Sequence, residues 1–303
     1  MPSLRQYRDR ITSVKSTRKI TSAMKMVAAS KLKKAQDQAE ASQPYARAMG
    51  DMLARVAANV TGNTGPKLLV GTGNDQKHLV IVVTSDRGLC GGFNANLLRF
   101  ARVQIRDLIA DQKEVSIVCV GRKARDILKR EFGSMIIDNI SGIGAKTVVN
   151  FAEAQSVSDI IMREFGADKF DVCTMIYNQF VSVLTQKPIV QQLIPFKVPA
   201  PAVSNQNKKN AEVDEVKASS PYSYEPDEET ILEKLLPKNI SVQVFRALLD
   251  SAAGEQAARM QAMDNSTRNA GDMIKKLSLV YNRARQAQIT KELIEIISGA
   301  EAL

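Results

Sequence analysis

The side chains best equipped for nucleophilic, acid–base or zinc chemistry are one histidine, His78, and three cysteines, Cys90, Cys119 and Cys173. They do not make a set. The cysteines are far apart, odd in number and each embedded in an apolar stretch, which predicts buried, reduced thiols rather than a disulfide framework. One His and three scattered Cys cannot supply the usual zinc ligands without carboxylates. A Ser–His–Asp arrangement would have to use His78, and His78 opens a strand-like run. Little material remains for hydrolytic chemistry.

A second candidate is a glycine-rich loop. His78-Leu79-Val80-Ile81-Val82-Val83-Thr84 reads as a buried parallel strand, and Ser85-Asp86-Arg87-Gly88-Leu89-Cys90-Gly91-Gly92-Phe93-Asn94 follows it. Such a loop is where α/β sheets bind nucleotides. A Walker A loop needs a Lys after its glycines, and none stands here. A dinucleotide fingerprint needs Gly-x-Gly-x-x-Gly, whereas these are Gly88, Gly91 and Gly92. The spacing predicts a tight turn and close helix–strand packing instead. A small-molecule enzyme built here would have Asp86, Arg87 and Arg122, with no His beside them. No catalytic residue, cofactor, metal or direct small-molecule substrate is expected.

The chain has 303 residues, which reads as two domains or one domain with a long appendage. Hydrophobic residues at 44% and charged residues at 24% exclude wholesale disorder and collagen. The net charge is +10, and most of it lies in residues 3–60, where twelve basic residues face only Asp9, Asp37, Glu40 and Asp51. That lopsided segment predicts contact with something acidic. Nucleic acid is the rival partner, but aromatics are 5% and Trp is absent, which leaves few rings for base stacking. No nucleic acid is therefore expected. No run of about 18 apolar residues predicts a membrane span, and the N-terminus has no apolar secretory core.

The elements that must position these residues fall into four stretches. Residues 1–60 predict one long helix capped by Ser3, with a stripe at Leu4, Tyr7, Ile11, Val14, Ile20, Met24, Val27, Leu32, Ala35 and Ala39. Pro44 is expected to kink or end it. Residues 77–196 alternate strands and helices and predict a mostly parallel, Rossmann-like α/β domain. Its expected pieces are helix 94–110, strand Val115–Val120, helix Arg122–Phe132, a short apolar Met135–Ile137, helix Val148–Phe165 and strand Phe170–Tyr177. Residues 197–226 read as a polar linker.

Residues 227–303 are helical, with Pro237 dividing them. They carry a heptad at Met263, Ser266, Ala270, Met273, Leu277, Val280, Ala284 and Ala287. A heptad needs a partner, and the first helix matches it in length. The fold class is thus α/β: a long antiparallel coiled coil of N- and C-terminal helices with the α/β domain inserted. Leu293, Ile294, Ile296 and Ile297 cannot all face one seam, so the C-terminal tip predicts contact with another molecule.

Three motifs carry a resemblance to a known family. They are Ile11–Ala29, Thr84–Asn94, and a tail comprising Met263–Ala270, Tyr281–Ala287, Ile289–Leu293 and Ile296–Ala300. Over its whole length the chain resembles the gamma subunit of F-type ATP synthase, the central rotor stalk. The resemblance implies a non-catalytic shaft inside a ring of three alpha and three beta subunits. The shaft couples proton flow through a membrane c-ring to conformational cycling of the catalytic beta subunits for ATP synthesis. It implies ring contacts at Met24, Lys25, Arg285, Gln286, Thr290, Ile294 and Ile297, with the acidic loop of beta meeting the basic collar. It places the epsilon subunit and the c-ring at the foot. A polar stretch at 200–220 exceeds the minimal family pattern and holds no Cys, against thiol regulation of the chloroplast kind. The family-like helix starts within the first few residues, which suggests a bacterial protein, peripheral on the cytoplasmic side of the inner membrane. The alternative is the matrix side of the mitochondrial inner membrane.

Overall fold

Ser3 and Gln6 begin the first element. The Gln6 N–H donates to Ser3 Oγ at 3.3 Å and the Ser3 N–H donates to Gln6 Oε1 at 3.0 Å, a reciprocal cap of the expected kind. The helix so started, α1, runs unbroken from Leu4 to Asn59, about 85 Å at 1.5 Å per residue. The computed structural model describes residues 3–59, 66–144, 148–196 and 228–301. The linker expected at 197–226 lies outside them.

Of the two outcomes expected at Pro44, a kink or an end, the second does not occur: α1 continues past it. Its ring faces solvent, while Met49 and Leu53 beyond it are buried in one cluster with Leu236 and Ile240. Burying those four side chains offsets the roughly 3 kcal/mol that an interior proline costs. Pro237 likewise fails to divide the last helix, α6, which spans Glu228–Glu301. Buried Leu232, Leu236 and Ile240 flank it, and Ser241 Oγ donates to the Pro237 carbonyl at 3.2 Å.

The two long helices pair antiparallel. Arg8 Nη2 donates to Tyr281 Oη at 3.1 Å, the Thr21 and Thr267 hydroxyls meet at 2.7 Å, and Lys25 Nζ donates to Asp264 Oδ1 at 2.7 Å. Seventeen residues separate Arg8 from Lys25 and seventeen separate Asp264 from Tyr281, so the register does not drift.

The seam keeps expected positions such as Leu32, Met263 and Ala270, all buried, but turns away from others. Ile20 and Val27 are 60% and 58% exposed, and the buried positions are their neighbours Thr21 and Ala28. On α6, Met273 and Val280 are 47% and 46% exposed, while Ile274 and Tyr281 are half-buried. Adjacent apolar residues point about 100° apart on a helix, so hydropathy alone does not choose between them. The cross-helix Thr21–Thr267 and Lys25–Asp264 contacts do.

Between the long helices lie a short α2 (Lys67–Val70), β1 (Lys77–Val83), α3 (Phe93–Ala110), β2 (Glu114–Val120) and α4 (Arg122–Phe132). There follow β3 (Ile136–Ile140), α5 (Phe151–Gly166), β4 (Val172–Phe180) and β5 (Gln186–Ile194). The sheet order is β3-β2-β1-β4-β5, parallel except for β5. Of the Met135–Ile137 run, Met135 ends a 3-10 turn and Ile136 and Ile137 begin β3. Helix α5 begins later than expected because Asn150 caps it: Asn150 Oδ1 accepts the Ala152 N–H, and the Glu153 carboxylate accepts the Asn150 N–H.

Alternation along each strand sends side chains to two cores. Val80, Val82, Ile117 and Cys119 pack under α3 and α4. Leu79, Ile81, Val118 and Met175 face the other way, toward α5 and residues 232–249 of α6. The rod is therefore one of the cover layers of the sheet. Gly254 allows a close approach: a Cβ there would lie 3.2 Å from Phe93 Cε2 and from Gln186 Cγ.

Candidate subunit interface

The glycine-rich loop lies at the carboxyl edge of the sheet, between β1 and α3. Its polar groups are used internally. Asn94 Oδ1 accepts the Ser85 N–H at 3.1 Å, and Asn94 Nδ2 donates to Ser85 Oγ at 2.7 Å and Cys90 Sγ at 3.2 Å. Asp86 accepts the Arg122 N–H at 2.9 Å with one oxygen and the Gly142 N–H at 2.7 Å with the other. One carboxylate thus ties the loops after β1, β2 and β3 together. Arg259 of α6 donates to the Gly88 carbonyl at 3.3 Å, and Gly91, at φ +57°, lets the loop pass 3.7 Å from Ala262 Cβ. The loop straps the sheet to the rod, a contact the sequence reading did not foresee. His78 sits at the opposite end of β1, with Nε2 2.8 Å from Asp75 Oδ1.

The three thiols are buried and free. Burial pushes Cys119 up to about 11 and Cys173 higher still, so neither is a thiolate at neutral pH. Among the described residues no group of three or more His, Cys, Asp or Glu is placed to hold a metal ion.

The outward-facing groups are elsewhere. Met24 is half-buried on α1, beside Ile20 and Val27. Ile20, Met26, Val27 and Leu89 are each 58% exposed or more and give this level of the rod an apolar face. Sequence reasoning placed Ile20 and Val27 in the seam and passed over Met26 and Leu89. The signal for Leu89 was a large apolar residue between the glycines, where it takes φ +64°. Lys25, expected to point at a partner, spends its ammonium on Asp264. The Lys25 bond, then Arg268, hold the Asp264 carboxyl below the usual carboxylate range.

The remaining candidates occupy a second level. Residue 4, where α1 begins, stands opposite residue 285 in the register set by Arg8–Tyr281. Beyond that point α6 continues to Glu301 without α1. Every residue from Arg285 to Ser298 is exposed, Arg285, Gln286, Thr290, Ile294 and Ile297 included. Thr290 Oγ1 donates to the Gln286 carbonyl at 2.9 Å, which keeps those two on one face. Leu293, Ile294, Ile296 and Ile297 are each more than half exposed. From Asp264, level with Lys25, to Arg285 is about 32 Å along the axis. The structure thus splits the candidates into a collar at Met24–Lys25 and a free tip.

A long two-helix rod carrying a Rossmann-like sheet, with its exposed apolar groups at a collar and a tip, is the architecture of a rotary-ATPase central stalk. The family profile described as ATP synthase matches residues 3–303. Among curated relatives, the ATP synthase gamma chain of Rhodospirillum rubrum is 55% identical over 305 residues, covering 100% of both chains. That of Granulibacter bethesdensis is 55% identical over 306 residues with the same coverage. Among solved structures, the central stalk and c-ring of the Tetrahymena thermophila mitochondrial ATP synthase matches with a TM-score of 0.58 and 26% identity. It covers 81% of this chain and 98% of that one. The Euglena gracilis mitochondrial ATP synthase gives a TM-score of 0.65 at 19% identity, covering 99% of this chain and 94% of that one, a likeness of fold. The chain belongs to the ATP synthase gamma chain family. No described helix is long and apolar enough to cross a membrane.

Proposed function

We propose that this chain is the rotating shaft of an ATP synthase that couples proton flow through a c-ring to the cycling of three catalytic beta subunits. The observation that carries this is the bare end of α6. A helix of fourteen successive exposed residues, with five large aliphatics among them, needs a sleeve of protein. A ring of alternating alpha and beta subunits supplies one.

On this reading residues 1–60 and 227–303 are the shaft and residues 77–196 form the unit that carries it at the foot, where the epsilon subunit and c-ring bind. Arg285, Gln286 and Thr290 face the beta subunits, with Arg285 as a charge-assisted donor to a carboxylate. Ile294 and Ile297 turn in the apolar bearing. Met24 meets the ring at the collar, and Lys25 positions α6 there through Asp264. The shaft is not itself catalytic. Asp86, the only carboxylate of the glycine-rich loop, is fully used by backbone N–H groups. It works at the cytoplasmic face of a bacterial inner membrane, as a peripheral subunit.

The test is direct. With alpha and beta subunits fixed to a surface and a bead on the exposed face of α4, added ATP should turn the bead in one direction by thirds of a turn. A bead that only jitters while ATP is hydrolysed at the full rate would refute the shaft.

A further inference from the structure

A groove of about 460 Å³ opens on the face of the sheet turned away from the rod. Its floor is apolar, with buried Val80 and Ile176 of the sheet, Leu108 of α3 on one wall, and Val190 of β5 and Pro195 on the other. It lies at the amino end of β1. The collar loop is at the far end of that seven-residue strand, about 20 Å away. The groove thus belongs to neither the collar nor the tip. Its volume is in the range of small-molecule sites, about 300–1,000 Å³.

Two observations decide what kind of ligand fits. The first is charge. The lining holds Asp75 and Asp171 and, among the described residues, no Lys or Arg. Asp171 is buried, and its oxygens accept only from neutral donors: the Thr72 hydroxyl at 2.6 Å and the Gln76 and Lys77 N–H groups at 3.2 and 3.0 Å. Burial opposes its ionisation, yet those hydrogen bonds hold its carboxyl below the usual carboxylate range. The second is an unsatisfied imidazole. His78 shares its face of β1 with Val80 and lines the groove. It is 8% exposed, and neither ring nitrogen makes a hydrogen bond, although Nε2 lies 2.8 Å from Asp75 Oδ1. The Thr174 hydroxyl and the Gln104 amide, also in the lining, make no side-chain hydrogen bond among the described residues. Polar groups at this depth ordinarily have partners.

We propose that this groove binds a small amphipathic organic cation. A flat apolar body rests on Val80, Ile176 and Leu108, and a protonated primary amine lies at the Asp171 and His78 end. The body supplies the burial and the ammonium supplies orientation. An organic anion would face two carboxylates with no cation to offset them. A quaternary ammonium would bring no N–H to the free acceptors. A metal ion lacks its ligands, since among the described residues no group of three or more His, Cys, Asp or Glu is placed to hold one. The inference does not depend on the chain being a shaft.

His78 is the one histidine of the chain, so a single imidazole resonance reports on the groove. The test is an NMR titration of the full chain, carrying isotope-labelled histidine, at neutral pH. Tryptamine is run beside two compounds of the same ring system, neutral tryptophol and anionic indole-3-propionate. Tryptamine should shift the His78 resonance saturably and bind at least about fivefold more tightly than tryptophol, and the propionate should leave it unmoved. Gln104 is half-buried on α3, so Gln104→Lys adds a cation to the wall without repacking the core, and it should erase the preference for tryptamine. Val190 is 40% exposed, so Val190→Trp can fill the groove, and it should abolish binding of both. Equal affinity for tryptamine and tryptophol would overturn the proposal. So would a response to the propionate as strong as that to tryptamine, a preference that survives Gln104→Lys, binding that survives Val190→Trp, or the lack of a saturable shift.

Discussion

Lys25 Nζ lies 2.7 Å from Asp264 Oδ1, and Asp264 holds Arg268 on its other oxygen. A lysine in the basic collar is thereby committed to the partner helix of its own chain. Both Lys25 and Asp264 keep partial solvent access, so Asp264→Ala should cost little stability. The thermal midpoint of the purified chain should fall by no more than about 3 °C, and the loss should shrink in 0.5 M salt. A large loss that ignored salt would show that the pair does more than set the rotation of the helices.

Met24→Lys would add an ammonium to a face that already carries Lys31. The side chain is half-buried at the mouth of a cleft, so the chain should fold with an unchanged midpoint. In the assembled enzyme the protons pumped per ATP should drop while hydrolysis continues. A normal ratio would mean that Met24 is not a ring contact.

Removing residues 294–303 takes away nothing that the described core rests on, since α6 is exposed on every side from Arg285 to Ser298. The free chain should keep its midpoint. The complex with alpha and beta should dissociate more readily on heating. A complex as stable as the parent would make the apolar tip dispensable.

The two glycines inside α6 should respond in opposite directions. Nothing lies within 4 Å of a Cβ at Gly271, so Gly271→Ala should stabilise the chain by up to about 1 kcal/mol through helix propensity. At Gly254 the sheet is in the way, and Gly254→Leu should destabilise by about 1–3 kcal/mol through overpacking. Urea midpoints of the two variants check both signs.

Asp250 gives a pH signature. Burial pushes its carboxyl up to about 6, with Arg246 pulling the other way. An unfolded chain titrates such a group near 4. Below that pH both states hold the proton and the folded chain suffers no penalty. Between about pH 4 and pH 6 the unfolded chain ionises first, so this contribution to stability is lost as pH rises. Asp250→Asn should therefore stabilise by about 1 kcal/mol at pH 7.5, after allowance for partial solvent access, and by nothing at pH 4. An equal effect at both values would exclude the carboxyl as its cause.

The sequence made the architecture legible because its periods are long. A three–four stripe over fifty residues at each end, around a βαβ pattern, leaves few other folds. What it did not settle was rotation about the helix axes. Ile20 beside Thr21 and Met273 beside Ile274 are choices between adjacent positions, and a threonine pair and an ion pair across the seam made them. Pro44 and Pro237 misled for a related reason. Local breakers are visible in sequence, while the buried Leu53, Leu236 and Ile240 that override them come together only in the fold. Of the exposed groups, the tip was legible as apolar residues in excess of any seam. At the collar Met24 was legible, whereas Lys25 turned inward and Leu89 lay hidden in a loop that reads as glycine punctuation.

The central claim is that this chain works by turning inside a ring. The most direct test is to mix it with purified alpha and beta subunits and follow assembly by mass and ATP hydrolysis by phosphate release. The account predicts one complex with three alpha, three beta and a single copy of this chain, active only when assembled. A chain that stays folded and monomeric beside alpha and beta, leaving their hydrolysis unchanged, would contradict it.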